Sequence, residues 1–105
     1  MRWSVVSTLG ASPPPRCQHT ATWLNYNSKL VIIAGQGETV TLKDVWSLDC
    51  SVQPPRWKEE KVVEHSSVQI QRSQHTAVEY KGKIYIFGGQ DLNAGASLTK
   101  IQSNF

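Results

Sequence analysis

The tetrapeptide QHTA occurs twice in the chain, in RCQHTA at 16–21 and in RSQHTA at 72–77. Histidine and arginine are side chains that transfer protons, ligate metals or bind anions. The doubling therefore indicates either a pair of reactive histidines or a repeated architecture in which His19 and His75 are structural.

A metal site could use Cys17 and His19, which are separated by one residue. Common zinc sites take clustered pairs such as C-x-x-C with H-x-x-x-H, and the sequence offers no second pair, since Cys50 and His65 lie in segments without matching spacing. A catalytic residue also rarely needs a copy in the next structural unit. We therefore predict no metal, no cofactor and a structural role for the two histidines.

Other catalytic patterns are equally weak in this sequence. G-x-S-x-G is absent, and Gly88 and Gly89 precede no convincing helix, so neither a serine nucleophile nor a phosphate loop is favoured. Asp44 and Asp49 flank a predicted strand and are typical of turn and strand-end residues rather than of a catalytic carboxylate pair. We predict that the chain is not an enzyme.

Composition argues against nucleic-acid and membrane binding. The 105 residues carry a formal net charge of +3, and the basic residues are scattered from Arg2 to Lys100, so no phosphate-binding stripe is expected. The longest purely apolar run, LVIIA at 30–34, is far too short to span a bilayer. A cytoplasmic location is the resulting prediction.

The internal repeat extends well beyond the tetrapeptide. His19 and His75 are 75 − 19 = 56 positions apart, and KLVIIAGQ at 29–36 matches KIYIFGGQ at 83–90 with an offset of 83 − 29 = 54. We also match Leu42 with Leu98 and Trp3 with Trp57. The offsets change only where loops are expected, which is typical of strands joined by connections that tolerate small insertions.

Each repeat reads as strands, because its apolar residues alternate or run continuously. The predicted strands are A at 19–24 and 75–80, B at 30–35 and 84–89, C at 44–49, and D from Trp57. A short helix over KEEKVVEH at 58–65 is the alternative for strand D. An antiparallel four-stranded meander of about 54 residues is the building block of a β-propeller.

The pattern R-x-x-H-[ST]-A, a hairpin, IYIFGG, D-V-W-x-L-D and a closing tryptophan resembles the kelch repeat. The matching residues of the first copy are Arg16, His19, Ala21, Gly35, Asp44, Trp46, Asp49 and Trp57. Those of the second copy are Arg72, His75, Ala77, Gly82, Tyr85, Gly88 and Gly89. The resemblance implies an all-β fold of kelch-type propeller blades in which His19, Gly35, Trp46, Trp57, His75, Gly88 and Gly89 are structural.

The predicted layout is a single partial propeller of about two blades over 1–105. Residues 1–9 would be an outer strand of a neighbouring blade, 16–63 a first full repeat and 72–105 a second, incomplete repeat. Because a propeller generally needs four to eight blades, we expect either a piece of a larger kelch protein or a homo-oligomer of three or four copies.

The longer polar loops suggest a recognition surface. Alternating strand direction brings the B–C and D–A connections to one face of the blades, and polar loops on a rigid scaffold are typical binding sites. The predicted partner-face residues are Arg16, Gln36, Glu38, Arg72, Gln90, Asp91 and Asn93. For the two arginines a structural role at the strand start is an equal alternative.

The sequence thus predicts a non-catalytic protein–protein interaction module, a kelch-repeat scaffold or adaptor. The alternative is part of a kelch-propeller enzyme resembling the copper radical oxidases or the plant specifier proteins. Such enzymes need metal ligands that this stretch does not visibly supply.

Overall fold

The computed structural model describes residues 2–62 and 70–90, and the backbone of 98–102. The strands are β1 (Thr20–Leu24), β2 (Lys29–Gln36), β3 (Thr41–Asp49), β4 (Arg56–Glu60), β5 (Thr76–Tyr80), β6 (Lys83–Phe87) and β7 (Leu98–Gln102). These ranges contain no helix, and so none that could reach across a lipid bilayer. The predicted all-β class is confirmed.

The first repeat forms a four-stranded antiparallel meander in the order β1-β2-β3-β4. Strand β2 lies between β1 and β3 and pairs with both, so that Ile33 is opposite Thr20 of β1 and Val45 of β3. A register shift between Ile33 and Gly35 lets the β2–β3 ladder continue to Thr41. Strand β3 therefore begins 44 − 41 = 3 residues earlier than the sequence predicts.

The helix alternative for 58–65 is wrong over the residues described there. Residues 56–60 form β4, which pairs with β3 from Val45↔Glu60 to Asp49↔Arg56. The ladder offered by β3 outweighs the helical propensity of Lys and Glu, because intrinsic propensity is a weak prior against tertiary pairing. Residues 63–65 lie outside the described ranges.

The second repeat forms a three-stranded antiparallel sheet in the order β5-β6-β7. Strand β7 takes the position of strand C, but its register corrects the predicted match between Leu42 and Leu98. Leu98 pairs with Phe87, whose counterpart Ile33 pairs with Val45. Leu98 is therefore the structural equivalent of Val45, because the β2–β3 and β6–β7 connections absorb the length difference.

One hydrophobic core lies between the two sheets, and strand alternation selects its members. In β2 the buried residues Val31 and Ile33 alternate with half-buried Leu30 and Ile32. In β6 the buried residues are Ile84 and Ile86, the counterparts of Leu30 and Ile32 at an offset of 84 − 30 = 54. Opposite faces of the two repeats therefore pack together, as in successive propeller blades.

The N-terminal segment contacts the outer strand of the first sheet. The Leu9 amide donates to Pro55 O at 2.8 Å, and the Trp57 amide donates to Leu9 O at 2.8 Å. Residues 2–8, all within the described part of the chain, belong to no strand here. The assignment of 1–9 to the outer strand of a neighbouring blade stays a prediction.

Gly35 and Gly89, each the second residue of its predicted pair, are required for two reasons: the backbone φ is positive, and a Cβ would have no room. Gly35 has φ +108°, and a Cβ there would lie 2.8 Å from Cys17 O. Gly89 has φ +97°, and a Cβ would lie 2.7 Å from Ser73 O. The first position is different: a Cβ on Gly88 would meet nothing within 4 Å, and its counterpart is already an alanine, Ala34, at φ 53°.

We expect Gly89→Ala to lower the free energy of unfolding by about 3 kcal/mol, because it combines an unfavourable φ with a backbone clash. Gly88→Ala is the matched control and should cost about 1 kcal/mol, from the φ alone. Denaturant midpoints of the two variants measure the difference. Equal destabilisation would show that the close approach of Ser73 does not constrain the chain.

Candidate functional site

Two equivalent bridges bring the D–A and B–C connections to one rim of the blades. In the first repeat the Cys17 amide donates to Gln36 O at 3.0 Å, and the Gln36 amide donates to Cys17 O at 2.7 Å. Ser73 and Gln90 repeat this arrangement with distances of 3.0 and 2.7 Å. In each repeat the start of the B–C connection therefore lies beside the end of the D–A connection.

Arg16 lies within this rim but does not present its charge outward. Its Nη1 and Nη2 donate to the two carboxylate oxygens of Asp44 at 2.7 and 2.8 Å. Nη1 also donates to Ala34 O at 3.0 Å, and the side chain is 4% exposed. Of the two roles that the sequence leaves open for Arg16, these contacts support the structural one.

Asp44 is the centre of this polar cluster, a role that sequence reasoning missed. Besides the Arg16 fork it accepts a hydrogen bond from Trp46 Nε1 at 2.7 Å. Burial raises the pKa of Asp44, but the hydrogen bonds from Arg16 and Trp46 and the charge of Arg16 lower it more, so this pKa lies below its ordinary value. The D-x-W spacing was the available signal, because residues two apart in a strand project to the same face.

Arg72 occupies the equivalent place in the second repeat. Its side chain is buried, and its Nη1 donates to Gly88 O at 3.1 Å, as Arg16 does to Ala34. By the register of β7, the counterpart of Asp44 is Ser97, which lies outside the described residues. Arg72 is therefore also better explained as an internal support of the rim than as a contact for a partner.

The two copies of QHTA are bound to each other. Gln18 and Gln74 both have left-handed backbones, with φ 58° and 61°, and the Gln74 amide donates to Gln18 O at 2.9 Å. One residue further, His75 Nε2 and Thr20 Oγ1 form a hydrogen bond of 3.0 Å. The repeated motif is a junction between the first strands of the two sheets, β1 and β5.

The two histidines differ in environment although their positions are equivalent. His75 is buried, and burial together with the charge of Arg72 lowers its pKa, more than a hydrogen bond with the backbone of Ile33 raises it. His19 is exposed, because it lies at the outer side of the first sheet. Buried His75 therefore supports the junction as a neutral imidazole.

Further hydrogen bonds join the first B–C loop to the second D–A segment. Gln71 Nε2 donates to Thr41 O at 2.8 Å, and the Arg72 amide donates to Leu42 O at 3.3 Å. The Gly35 amide donates to Arg72 O at 2.9 Å. The loops of neighbouring repeats thus share one hydrogen-bonded base.

The side chains that remain available on the rim are few. The B–C loop closes with the Gly37 amide donating to Val40 O at 2.9 Å, which leaves Glu38, Thr39 and Val40 exposed. Gln90 is exposed as well. Val40, with 55% of its surface exposed, is an apolar loop-tip residue that the sequence-based selection missed.

The other predicted partner-face residues are less accessible or not described. Gln36 is half-buried; its Oε1 accepts a hydrogen bond from Thr41 Oγ1 at 3.0 Å. Asp91 and Asn93 lie outside the described residues.

The cysteines and the remaining acidic candidate have structural surroundings. Cys17 and Cys50 carry free thiols and lie at opposite ends of β2, since Cys17 pairs with Gln36 and the Cys50 amide donates to Ser28 O at 2.9 Å. Asp49 accepts hydrogen bonds from the amide and hydroxyl of Ser51 at 2.9 and 2.6 Å, which is a strand-end turn. Over residues 2–62 and 70–90 no group of three metal-ligating side chains is found.

Comparison with known proteins gives a consistent family. A model of the KLHDC2/KLHL20/DRC7 Kelch-repeats domain matches residues 1–103. The chain is 34% identical over 91 residues to Adagio-like protein 3 of Oryza sativa subsp. japonica, covering 87% of this chain and 14% of that protein. It is 35% identical over 91 residues to host cell factor 1 of Homo sapiens, covering 83% of this chain and 4% of that protein. The chain therefore spans a small fraction of each of these relatives.

Acidification should destabilise the fold through His75. In the unfolded chain this histidine titrates near its ordinary value of 6.5, and in the native chain it titrates lower, so between the two pKa values the unfolded state binds more protons. The contribution of His75 to the free energy of unfolding is therefore complete above about pH 6.5, and it is lost as the pH falls through the native pKa.

Urea unfolding at about pH 7.5 and about pH 5 measures this loss. We expect His75→Gln to reduce the difference between the two midpoints. His19→Gln, at the exposed equivalent position, should keep the parental difference. An unchanged pH dependence in His75→Gln would contradict a buried neutral His75.

Proposed function

This chain belongs to the kelch-repeat family, and we propose that it is a protein–protein interaction module without catalysis of its own. The partner binds the rim formed by the B–C and D–A connections. In this proposal residues 16–63 and 72–105 are two kelch repeats of a cytoplasmic scaffold or adaptor.

The observation that carries the proposal is the contrast between the base and the tip of the rim. The base is held by hydrogen bonds between repeats, including that from Gln71 Nε2 to Thr41 O at 2.8 Å. The tip, Glu38 to Val40, is exposed. Binding residues are commonly found on loops that a rigid scaffold positions.

The chemistry of the tip favours a partner with an apolar contact surrounded by polar groups. Val40 supplies the apolar side chain, and Glu38 and Thr39 supply acceptors and a donor beside it. Interfaces typically combine a small apolar centre with a polar rim. In this proposal the side chains of Arg16 and Arg72 hold the loops, and exposed Gln90 extends the surface on the second repeat. Asp91 and Asn93, outside the described residues, are proposed from the sequence alone.

The histidines and Asp44 also support a non-catalytic role. Three groups of the described residues have a shifted pKa, and each has an internal partner. Asp44 binds Arg16 at 2.7 Å, Asp49 accepts from the Ser51 hydroxyl at 2.6 Å, and His75 pairs with Thr20 at 3.0 Å. A general base must instead reach a proton of a bound substrate.

Site-specific photo-crosslinking tests the proposed face. A photoreactive amino acid at position 40 should give discrete cross-links to another protein in cells that express the chain, and an excess of the parental chain should suppress them. The matched control is position 52, because Val52 is 42% exposed but lies in the β3–β4 connection, at the other end of β3.

Comparing positions 40 and 52 distinguishes binding at the rim from binding elsewhere on the chain. Cross-links at 40 that are absent at 52 support the rim as the binding face. Identical cross-links from both positions, cross-links from 52 alone, or none from either would overturn the proposal.

A further inference from the structure

Two glutamines at the rim have an unusual backbone conformation. Gln18 and Gln74 stand immediately before the histidines of the repeated motif, and their φ angles are 58° and 61°. This left-handed region is unfavourable for a residue with a Cβ, whereas glycine adopts it without that steric penalty. Both repeats therefore keep a long polar side chain at a position where the backbone favours glycine.

Other non-glycine residues with positive φ have local reasons for it. Ser28 and Lys81, with φ 57° and 51°, lie in the hairpin turns between β1 and β2 and between β5 and β6, where such angles are ordinary. At Gln18 and Gln74 the chain enters β1 and β5 without forming a hairpin. An unfavourable backbone angle of this kind, present twice at the same residue type, points to a use of the side chain.

The side chains of the two glutamines are not used inside the fold. Both residues are exposed, and within the described part of the chain neither side chain has a hydrogen-bond partner. The contact between the two repeats uses their main chains, from the Gln74 amide to Gln18 O at 2.9 Å. The junction therefore does not require a glutamine side chain at either position.

The exposure of this position does not result from a missing neighbouring repeat. Gln18 is exposed although the following repeat packs against its sheet, and Gln74 is exposed although the preceding repeat packs against its sheet. The two copies thus sample a neighbour on either side, and neither neighbour covers the side chain. We expect further repeats to leave both glutamines open at the rim.

The chemistry of the two glutamines fits the main chain of a peptide. A carboxamide has a donor and an acceptor, like a peptide group, and carries no charge. The arginines nearby offer no free charge, because Arg16 binds Asp44 at 2.7 Å and Arg72 is buried. The same side chain at equivalent places in successive repeats suits a ligand that presents one group at regular intervals, as a polypeptide backbone does.

We propose that Gln18 and Gln74 bind the main chain of an extended, uncharged segment of the partner protein, one peptide group per repeat. This proposal rests on the rim as the binding face and specifies which part of the partner crosses it. Gln90 is exposed and lies beside Gln74, since its main chain is hydrogen-bonded to Ser73 at 3.0 and 2.7 Å. Its carboxamide extends the same polar surface.

A display selection against the 105-residue chain tests the proposal. The probe is a library of linear random peptides, and the affinity of each selected peptide is then measured by fluorescence polarisation. In the double variant Gln18→Gly, Gln74→Gly the affinity should fall about tenfold, because two hydrogen bonds to the peptide are lost.

Methylation of the peptide backbone separates main-chain from side-chain recognition. An N-methyl group at a contacted peptide position removes the N–H donor and should lower the affinity about tenfold. Alanine at the same position keeps that donor and should leave the affinity nearly unchanged. Sensitivity to alanine alone would contradict binding through the main chain.

A backbone control and a folding measurement accompany the double variant. Ser28→Gly relaxes a φ of 57° at the other end of the first sheet and should leave peptide binding unchanged. The urea midpoint of the double variant should equal or exceed that of the parent, because glycine suits the two φ angles. A lower midpoint would show that the glutamine side chains support the fold, and would contradict the proposal.

Val40→Asp distinguishes failure of this proposal from failure of the proposed function. Selected peptides that lose affinity in the glutamine double variant support main-chain binding. Peptides that lose affinity in Val40→Asp but not in the double variant would overturn the role of the glutamines and leave the rim as the binding face. Peptides insensitive to both changes would contradict both proposals, and a selection that yields no peptide would overturn main-chain binding.

Discussion

A hydrogen-bonded junction between β1 and β5 sets how the two sheets lie against each other. The Gln74 amide donates to Gln18 O, and His75 pairs with Thr20. Both contacts require a backbone that turns sharply just before the strand, and the left-handed φ of the two glutamines supplies that turn. Because β1 and β5 are held there, the apolar faces behind them meet and the loops beside them converge.

Buried arginine side chains connect the strands to the loops of the rim by hydrogen bonds. Each arginine donates to the carbonyl of the first residue of the glycine pair, Arg16 to Ala34 and Arg72 to Gly88. The second residue of each pair must then pass close to the chain that precedes β1 or β5, which leaves no room for a Cβ. The side chains beyond this base, Glu38 to Val40 in the first repeat, are free to differ without disturbing it.

The sequence was sufficient for features that repeat and insufficient for features that depend on pairing across the chain. The doubled QHTA, the β2-like strands and the D-V-W-S-L-D strand predicted the blades, because each is a local pattern. The match of Leu42 with Leu98 failed because a ladder register, not an offset, defines equivalence. The arginines were assigned to the surface as readily as to the interior, because the carboxylate that fixes Arg16 lies 28 positions away.

Hydrogen exchange of Thr20→Val tests most directly whether the junction couples the two sheets. Removing the hydroxyl removes the side-chain hydrogen bond between His75 and the first repeat, so amides of β6 such as Ile86 should lose about 1 kcal/mol of protection together with amides of β2. Thr39→Val, in the exposed loop, is the control and should change neither. Loss of protection confined to β1 and β2, with β6 unchanged, would contradict the account.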